Sequence, residues 1–495
     1  MFNVNSCSSA RRATPSRVAR SFRPLITAAT AATLLVSSLS ACSLVDGPTD
    51  VVNIGYQSKT LNTINAGTLL RDRGTFEKAL ERLGRSNGKR YRVQWHDFSS
   101  GAPLTAAMIA TQVDIGSMGD YPLVTNGSKS ARFDDAATEL VATTGYNPQG
   151  SLNQVVVPTS SDATELADLQ GRQVSTSLGS AGDGMLATAL ERAGIDPDGI
   201  QVANQDPSIG AAAIEGGQVD GLAQFVPWPQ LMIFRGQARL LFDGGENGVP
   251  TFHGVVARKQ FTRANPEVMT EFLRAMQNTS DVIADRPMAS ALRISELTGI
   301  EPEVAYLYNG PNGMVSFDPA IKPQFAETLA QVKAFLVQRG SVEPDFDVGA
   351  FTNDEYLRQL YGADFTARTG DVANPSRLTG YDGTCGLPVD DPATASEVWF
   401  QGEAETRKAA TPTCLLRQIA TGGTSEVRAG YVPDTQSGLK LFAAQATWVH
   451  DGSTALTRSL LPFATERGAQ AYLDNHPTAK PIGFDAAVRA AEQVQ

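Results

Sequence analysis

The segment Ser177-Leu178-Gly179-Ser180-Ala181-Gly182-Asp183 joins an apolar run to a helical pattern, and its chemistry suits a small oxyanion. Its glycines free the backbone, and Ser180 offers a hydroxyl. The start of the helix presents unsatisfied amides at the positive end of the helix dipole. The same residues also make an ordinary helix cap. Three other segments carry comparable groups: Tyr56-Gln57-Ser58-Lys59, Gly119-Asp120-Tyr121-Pro122 and Gln224-Phe225-Val226-Pro227-Trp228. Tyr121 and Trp228 can wall a pocket, although single aromatics also serve as core. Asp120 can receive an amine, or cap a helix. Lys59 is the only basic side chain in these segments, so charge pairing leaves an anion, a zwitterion or a small cation open. HExxH, GxSxG and GxxxxGK patterns do not occur, and His96, His253, His450 and His476 are scattered. The chain therefore reads as a non-enzyme without a resident cofactor or metal.

The elements that must hold these segments are legible. Val51–Tyr56, Tyr91–Trp95, Asn153–Val157, Gln173–Ser177, Leu222–Phe225 and Val255–Ala257 read as strands. Thr75–Leu83, Gly182–Ala193 and the stretch after Asn265-Pro266 read as helices, the second stopped by Gly194. Strands alternating with helices predict an α/β fold with largely parallel sheets. The four segments above then sit just past strand ends, where solute pockets form in open α/β folds. Gln112-Val113-Asp114 followed by Ile115-Gly116 is echoed by Gln218-Val219-Asp220 followed by Gly221-Leu222, which suggests two similar lobes. Residues 366–395 are rich in Gly, Pro, Asp and Thr and read as linker or long loop. From Ser396 onward, Leu439–Phe442, Ala446–Val449 and Thr465–Asn475 read as two strands and a helix of a small α+β module.

Composition excludes some functions. Charged residues are 19% and hydrophobic residues 42%, ordinary for a folded chain. Residues 1–41 carry five arginines and no acid, so the remainder has 36 basic against 52 acidic residues, a formal charge of −16. Nucleic acid is thereby disfavoured as a partner. Beyond residue 42 only Cys385 and Cys414 remain, and outside the cytoplasm such a pair most often forms one disulfide.

The N-terminus reads as an export signal. Arg11, Arg12, Arg17, Arg20 and Arg23 precede the uncharged run Leu25–Leu39, which is short for a spanning helix. Leu39-Ser40-Ala41-Cys42 resembles a bacterial lipobox. That resemblance implies cleavage after residue 41, lipid on Cys42, a tether over 42–50, and a body held at the extracytoplasmic face of the cell membrane.

The block 51–365 resembles the solute-binding proteins of nitrate-, sulfonate- and taurine-type ABC importers. The residues that carry this are Gly101-Ala102-Pro103-Leu104, Gln112–Gly116, Gly119–Pro122, Leu166-Ala167-Asp168-Leu169-Gln170-Gly171, Leu178-Gly179-Ser180, Gln218–Gly221 and Trp228. The resemblance implies a bilobed, type II periplasmic-binding-protein-like fold and delivery of a small solute to a permease. Lobe one would hold about 51–145 and 255–365 and lobe two about 146–254, with crossings near Thr143–Asn147 and Pro250–Val255. Tyr56, Gln57, Asp120, Tyr121, Ser180, Ala181, Gln224 and Trp228 would bind the ligand.

After a linker at 366–379, residues 380–495 resemble the nitrous-oxide-reductase accessory lipoprotein (NosL) family, which handles copper(I). Cys385-Gly386-Leu387-Pro388, Thr413-Cys414-Leu415 and the tail from Phe463 to Phe484 carry the likeness. The family pattern has methionine where this chain has Leu387, and the module has no methionine to supply soft thioether ligands. Two readings stay open. In one, Cys385 and Cys414 form a disulfide in a structural or docking module. In the other, the two thiolates bind copper or zinc with His450 or His476, and the protein is a copper-handling lipoprotein. The cysteines are not a CxxC pair and neither histidine is near in sequence, which favours the disulfide.

Overall fold

A computed structural model describes residues 49–492; residues 1–41, Cys42 and the tether up to residue 48 lie outside the described residues. Among the described residues, eleven strands cross the large block. They are β1 (Thr49–Tyr56), β2 (Arg90–Asp97), β3 (Ile115–Gly119), β4 (Thr138–Asn147), β5 (Asn153–Pro158), β6 (Gln173–Thr176), β7 (Gln201–Asn204), β8 (Gly221–Phe225), β9 (Ala238–Asp243), β10 (Thr251–Arg258) and β11 (Ser316–Phe317). The first sheet has the order β11-β4-β10-β3-β1-β2 and the second β7-β6-β8-β5-β9. In each, three strands run parallel (β2-β1-β3 and β7-β6-β8) and the rest are antiparallel. These are two lobes of matching topology.

The sequence echo has a structural cause. Asp114 and Asp220 each precede the third strand of their parallel trio, β3 and β8. Asp114 Oδ2 accepts from the Asn53 amide at 2.9 Å, and Asp220 Oδ2 accepts from the Gln173 amide at 2.9 Å. Both aspartates thus pin the start of one strand to its parallel neighbour, where an unpaired amide would otherwise remain.

The first lobe buries Val52 and Ile54 of β1 against the helix Thr75–Asn87, whose Phe76, Ala79 and Leu80 face inward. That helix ends at Gly88, whose φ of 70° suits the left-handed cap position. The second lobe buries Val155, Val157 and Val174 with Leu186, Ala189 and Leu190 of the helix Ala181–Ala193. The chain passes between the lobes in the segments 148–152 and 244–250. The expected crossings at Thr143–Asn147 and Pro250–Val255 instead fall mostly on the ends of β4 and β10, because both strands run on to the lobe boundary. Four later helices, Pro266–Asp285, Pro287–Thr298, Pro302–Asn309 and Pro323–Gln338, each open on proline, whose missing N–H costs nothing there.

The C-terminal strands are β12 (Gly380–Asp382), β13 (Leu387–Val389), β14 (Ser396–Phe400), β15 (Arg407–Ala409), β16 (Val427–Pro433), β17 (Lys440–Phe442), β18 (Thr447–His450), β19 (Leu460–Phe463) and β20 (Lys480–Ile482). They form a hairpin β12-β13, a four-stranded sheet β15-β14-β16-β17 and a three-stranded sheet β19-β18-β20, with helices Pro412–Gly422, Glu466–Asn475 and Phe484–Glu492.

This region is fused to the block by packing. Trp399, Tyr431 and Phe442 share one apolar cluster with Tyr306, Trp228 and Leu61. Phe442 meets Phe234 at 5.0 Å between ring centroids. At the same seam Lys440 Nζ lies 2.6 Å from Glu397 Oε1, and the Tyr306 hydroxyl donates to Glu397 Oε2 at 2.8 Å. Segment 374–378 is tied down as well: Asn374 Nδ2 donates to Gly313 O, and Leu378 N to Asn312 Oδ1. Among the described residues no helix is long and apolar enough to cross a membrane.

Candidate functional site

The carboxyl ends of β1 and β2 face the start of the helix Pro207–Glu215 across the gap between the lobes. A cavity of about 220 Å³ lies there, lined by Gln57, Ser58, Lys59, Thr60, Asp97, Phe98 and Ser99 from the first lobe and by Pro207, Ser208 and Trp228 from the second. Asp97 Oδ1 accepts from the Ser58 amide at 2.9 Å. Lys59 is exposed and makes no ion pair among the described residues. Trp228 is 9% exposed, and its indole N–H donates to no group among the described residues. Asp206, the N-cap of the helix Pro207–Glu215, does not cap with its side chain. Its Oδ1 instead accepts from Ser99 Oγ across the gap at 3.2 Å.

The eight sequence-derived candidates fall into three groups. Gln57 and Trp228 line the cavity. Gln57 is held by its Nε2, which donates to Ser117 O at 3.0 Å. Tyr121 and Ala181 join the lobes. The Tyr121 hydroxyl sits 2.6 Å from Thr188 Oγ1 of the opposite lobe, over Gly184, where a Cβ would lie 2.2 Å from Tyr121 Cδ1. Gly119 permits a second close approach: a Cβ there would lie 3.0 Å from that of Ala181. The described state is therefore one in which the lobes touch.

The remaining four point elsewhere. Tyr56 is buried in lobe one, its hydroxyl accepting from Arg71 and its ring edge-on to Trp95. Asp120 is buried, with Oδ2 accepting from Thr251 Oγ1 at 2.8 Å and Oδ1 from the Tyr121 amide at 2.9 Å. Burial pushes its carboxyl up to about 6. Ser180 caps its helix, accepting from the Asp183 amide. Gln224 Nε2 donates to Ser177 Oγ, leaving its Oε1 without a partner among the described residues.

Sequence reasoning did not reach Asp97, Phe98, Ser99, Pro207 and Ser208. Asp97 ends β2, Phe98 and Ser99 follow it, and Pro207 and Ser208 follow β7, the remaining strands of the two parallel trios. The same strand-end rule that marks Gln57 and Trp228 marks these residues too.

A second polar set lies at the lobe boundary. Asn62 Nδ2 is 2.6 Å from His253 Nδ1, and burial drives His253 down to about 3, so the ring is neutral. With the amide nitrogen donating, the imidazole proton is assigned to Nε2. Asn62 Oδ1 and Ser117 Oγ have no partner among the described residues.

Cys385 and Cys414 are joined by a disulfide (S–S 2.15 Å). With Asp382 they form the candidate metal set among the described residues, but its donors are engaged. Asp382 Oδ1 accepts from Thr384 N, Cys385 N and Gln418 Nε2, and Oδ2 from Ala410 N. Neither His450 nor His476 joins the set; His476 stacks on Tyr472 and bonds to its carbonyl.

Comparison with known proteins bears on the fold. An alkanesulfonate-binding protein, SsuA from Xanthomonas axonopodis pv. citri bound to MOPS, superposes with a TM-score of 0.51 at 20% identity, covering 61% of this chain and 98% of that one. The fold is the bilobed type II fold of periplasmic binding proteins. Residues 134–290 match the family model described as NMT1/THI5 like. A putative aliphatic sulfonates-binding protein of Escherichia coli (strain K12) is 25% identical over 315 residues, 62% of this chain and 88% of that protein. The taurine-binding periplasmic protein of the same strain is 26% identical over 225 residues, 45% of this chain and 66% of the relative. Both relatives are named for binding, not catalysis.

Proposed function

We propose that this chain is the lipid-anchored, extracytoplasmic solute-binding component of an ABC importer, which captures a small sulfonate- or taurine-like solute between its lobes and delivers it to the permease. The cavity at the lobe gap carries the reading. Its Lys59 ammonium, Trp228 N–H and the amides opening the helix Pro207–Glu215 suit an anionic end. The Asp97 carboxylate suits an ammonium at the other end. Relatives named for sulfonates and taurine support the class. The ligand favours the closed form by contacts that exist only when both walls meet. The division adopted is a signal peptide over 1–41, a tether over 42–50, two lobes over 51–365 (51–145 with 255–365, and 146–254), a linker over 366–379 and a NosL-like α+β module over 380–495 that packs on the block.

Two measurements test this. Calorimetric titration with taurine, short alkanesulfonates, nitrate and sulfate is expected to show one tight ligand. Lys59→Met is expected to weaken it at least tenfold, about 1.4 kcal/mol. Trp228→Phe keeps the ring and removes the donor, and is preferable to Trp228→Ala, which would also cost about 3–5 kcal/mol of core packing. Unchanged affinity in both variants would remove this cavity as the site. Separately, Cys42→Ala is expected to move the protein from the membrane fraction to the soluble extracytoplasmic fraction when membranes are washed at high salt, which strips electrostatic binding, and retention after that wash would end the lipoprotein reading.

A further inference from the structure

The residues Arg82, Arg85, Lys89, Arg90 and Arg92 put five cations into eleven positions without an acid among them, in a chain whose overall balance is strongly acidic. All five are exposed. The fold gathers them at one end of the first sheet. The helix Thr75–Asn87 ends beside the start of β2, and β2 pairs in parallel with β1 so that Thr49 lies opposite Arg90 and Val51 opposite Arg92. A favourable helix-dipole position accounts for Arg85 in the last turn, but not for the cations that follow the helix. Of Arg82, Arg85, Lys89 and Arg92, ion pairing among the described residues engages Lys89 alone, with Asp50 at 3.3 Å. That pair is exposed on both sides, so solvent and salt screen it. Asp50 and Glu81 are the acids that border the patch.

The patch is where the chain enters from its N-terminus. Thr49 follows Cys42 by seven residues, a reach of at most about 25 Å. The carboxyl end of β1, beside the cavity, lies at the opposite end of this strand of eight residues.

We propose that this basic patch is a docking surface for anionic lipid headgroups. The proposal rests on the lipoprotein reading for its biological setting: lipid on Cys42 holds the chain at the bilayer, and a polybasic surface adds electrostatic attraction to anionic headgroups that fixes how the body sits on it. The acidic remainder of the body is repelled by the same membrane, so the two effects together orient the molecule with the β1 entry toward the bilayer and the cavity end away from it.

The test uses residues 43–495, which hold the whole described fold without Cys42, so it reads the patch independently of lipidation. Co-sedimentation is measured with vesicles of phosphatidylcholine alone and with about 30% phosphatidylglycerol added, at low and high salt. The expected result is binding to the anionic vesicles only, lost at high salt, and weakened at least tenfold in Arg82→Gln/Arg85→Gln/Lys89→Gln/Arg92→Gln. A thermal melt confirms that the variant is folded. If it unfolds, Arg82→Gln/Arg85→Gln alone is used, with a several-fold loss expected. No preference for anionic vesicles, or equal binding by the folded variant, would overturn the proposal. Failure here with release by Cys42→Ala would leave the lipoprotein reading standing; success here with retention of Cys42→Ala would do the reverse.

Discussion

Lys440→Met is expected to destabilise the protein by about 3–5 kcal/mol, because it leaves a carboxylate buried without its counter-ion. Glu397 is fully buried and accepts from Lys440 Nζ at 2.6 Å, Thr406 Oγ1 at 2.6 Å and Tyr306 OH at 2.8 Å. Lys440 also donates to Pro311 O, so the pair ties β14 and β17 to the helix Pro302–Asn309 and the turn after it. The double variant Lys440→Met/Glu397→Gln removes both charges and is expected to recover part of the loss. Urea melts of the two variants check this, and a single variant within about 1 kcal/mol of the native chain would show that the pair is dispensable. The same seam makes removal of 380–495 costly. It would uncover Tyr306 and Phe234, which now pack against Trp399, Tyr431 and Phe442. A truncated chain is expected to aggregate, so the region is tested by substitution and not by deletion.

The second large effect is a pH dependence that the native chain conceals. Asp120 and Asp243 are buried and pushed up from 3.8 to about 6, so their ionisation costs stability as pH rises from about 4 to about 6. His253 is buried and driven down from 6.5 to about 3, which has the opposite sign: the unfolded chain gains a proton below pH 6.5 that the folded chain refuses. On going from about pH 7 to about pH 4.5, each carboxylate contributes a gain of about 2 kcal/mol and the histidine a loss of about 3 kcal/mol. From these three groups the native chain is expected to change by only about 1 kcal/mol across this range, and Asp183, also raised by burial, adds to the gain at the acid end. Asp72, held low by Arg293, acts below about pH 4 and lies outside the window. His253→Gln is expected to expose the carboxylates, giving a variant more stable by about 4 kcal/mol at the acid end than at neutrality. Urea melts at both pH values decide it. A pH profile parallel to that of the native chain would show that His253 titrates normally.

Much of the architecture was legible in local pattern. The runs at Val51–Tyr56, Asn153–Val157 and Leu222–Phe225 became β1, β5 and β8 almost residue for residue, because a buried strand needs a contiguous apolar stretch and these have one. The Asp114 and Asp220 echo announced two like lobes because each aspartate performs the same local task. The cavity was only half legible. Gln57 and Trp228 lie just past strand ends and are marked by that position, whereas Tyr56, the residue immediately before Gln57, points the other way because successive side chains of a strand alternate faces. Of the two roles open to Ser180 in the sequence, the structure shows the helix cap, its Oγ accepting from the Asp183 amide.

By itself the sequence determined the α/β class, the two-lobe repeat, the acidic balance and the order of elements, all of which depend on periodicity and composition along the chain. Tertiary structure alone decided which loop ends meet across the gap, that the C-terminal strands share a core with the lobes, and that a run of basic residues lies beside the entry of the chain. Each of these pairs residues tens to hundreds of positions apart. Such contacts are set by strand register and crossing geometry, which no local pattern encodes.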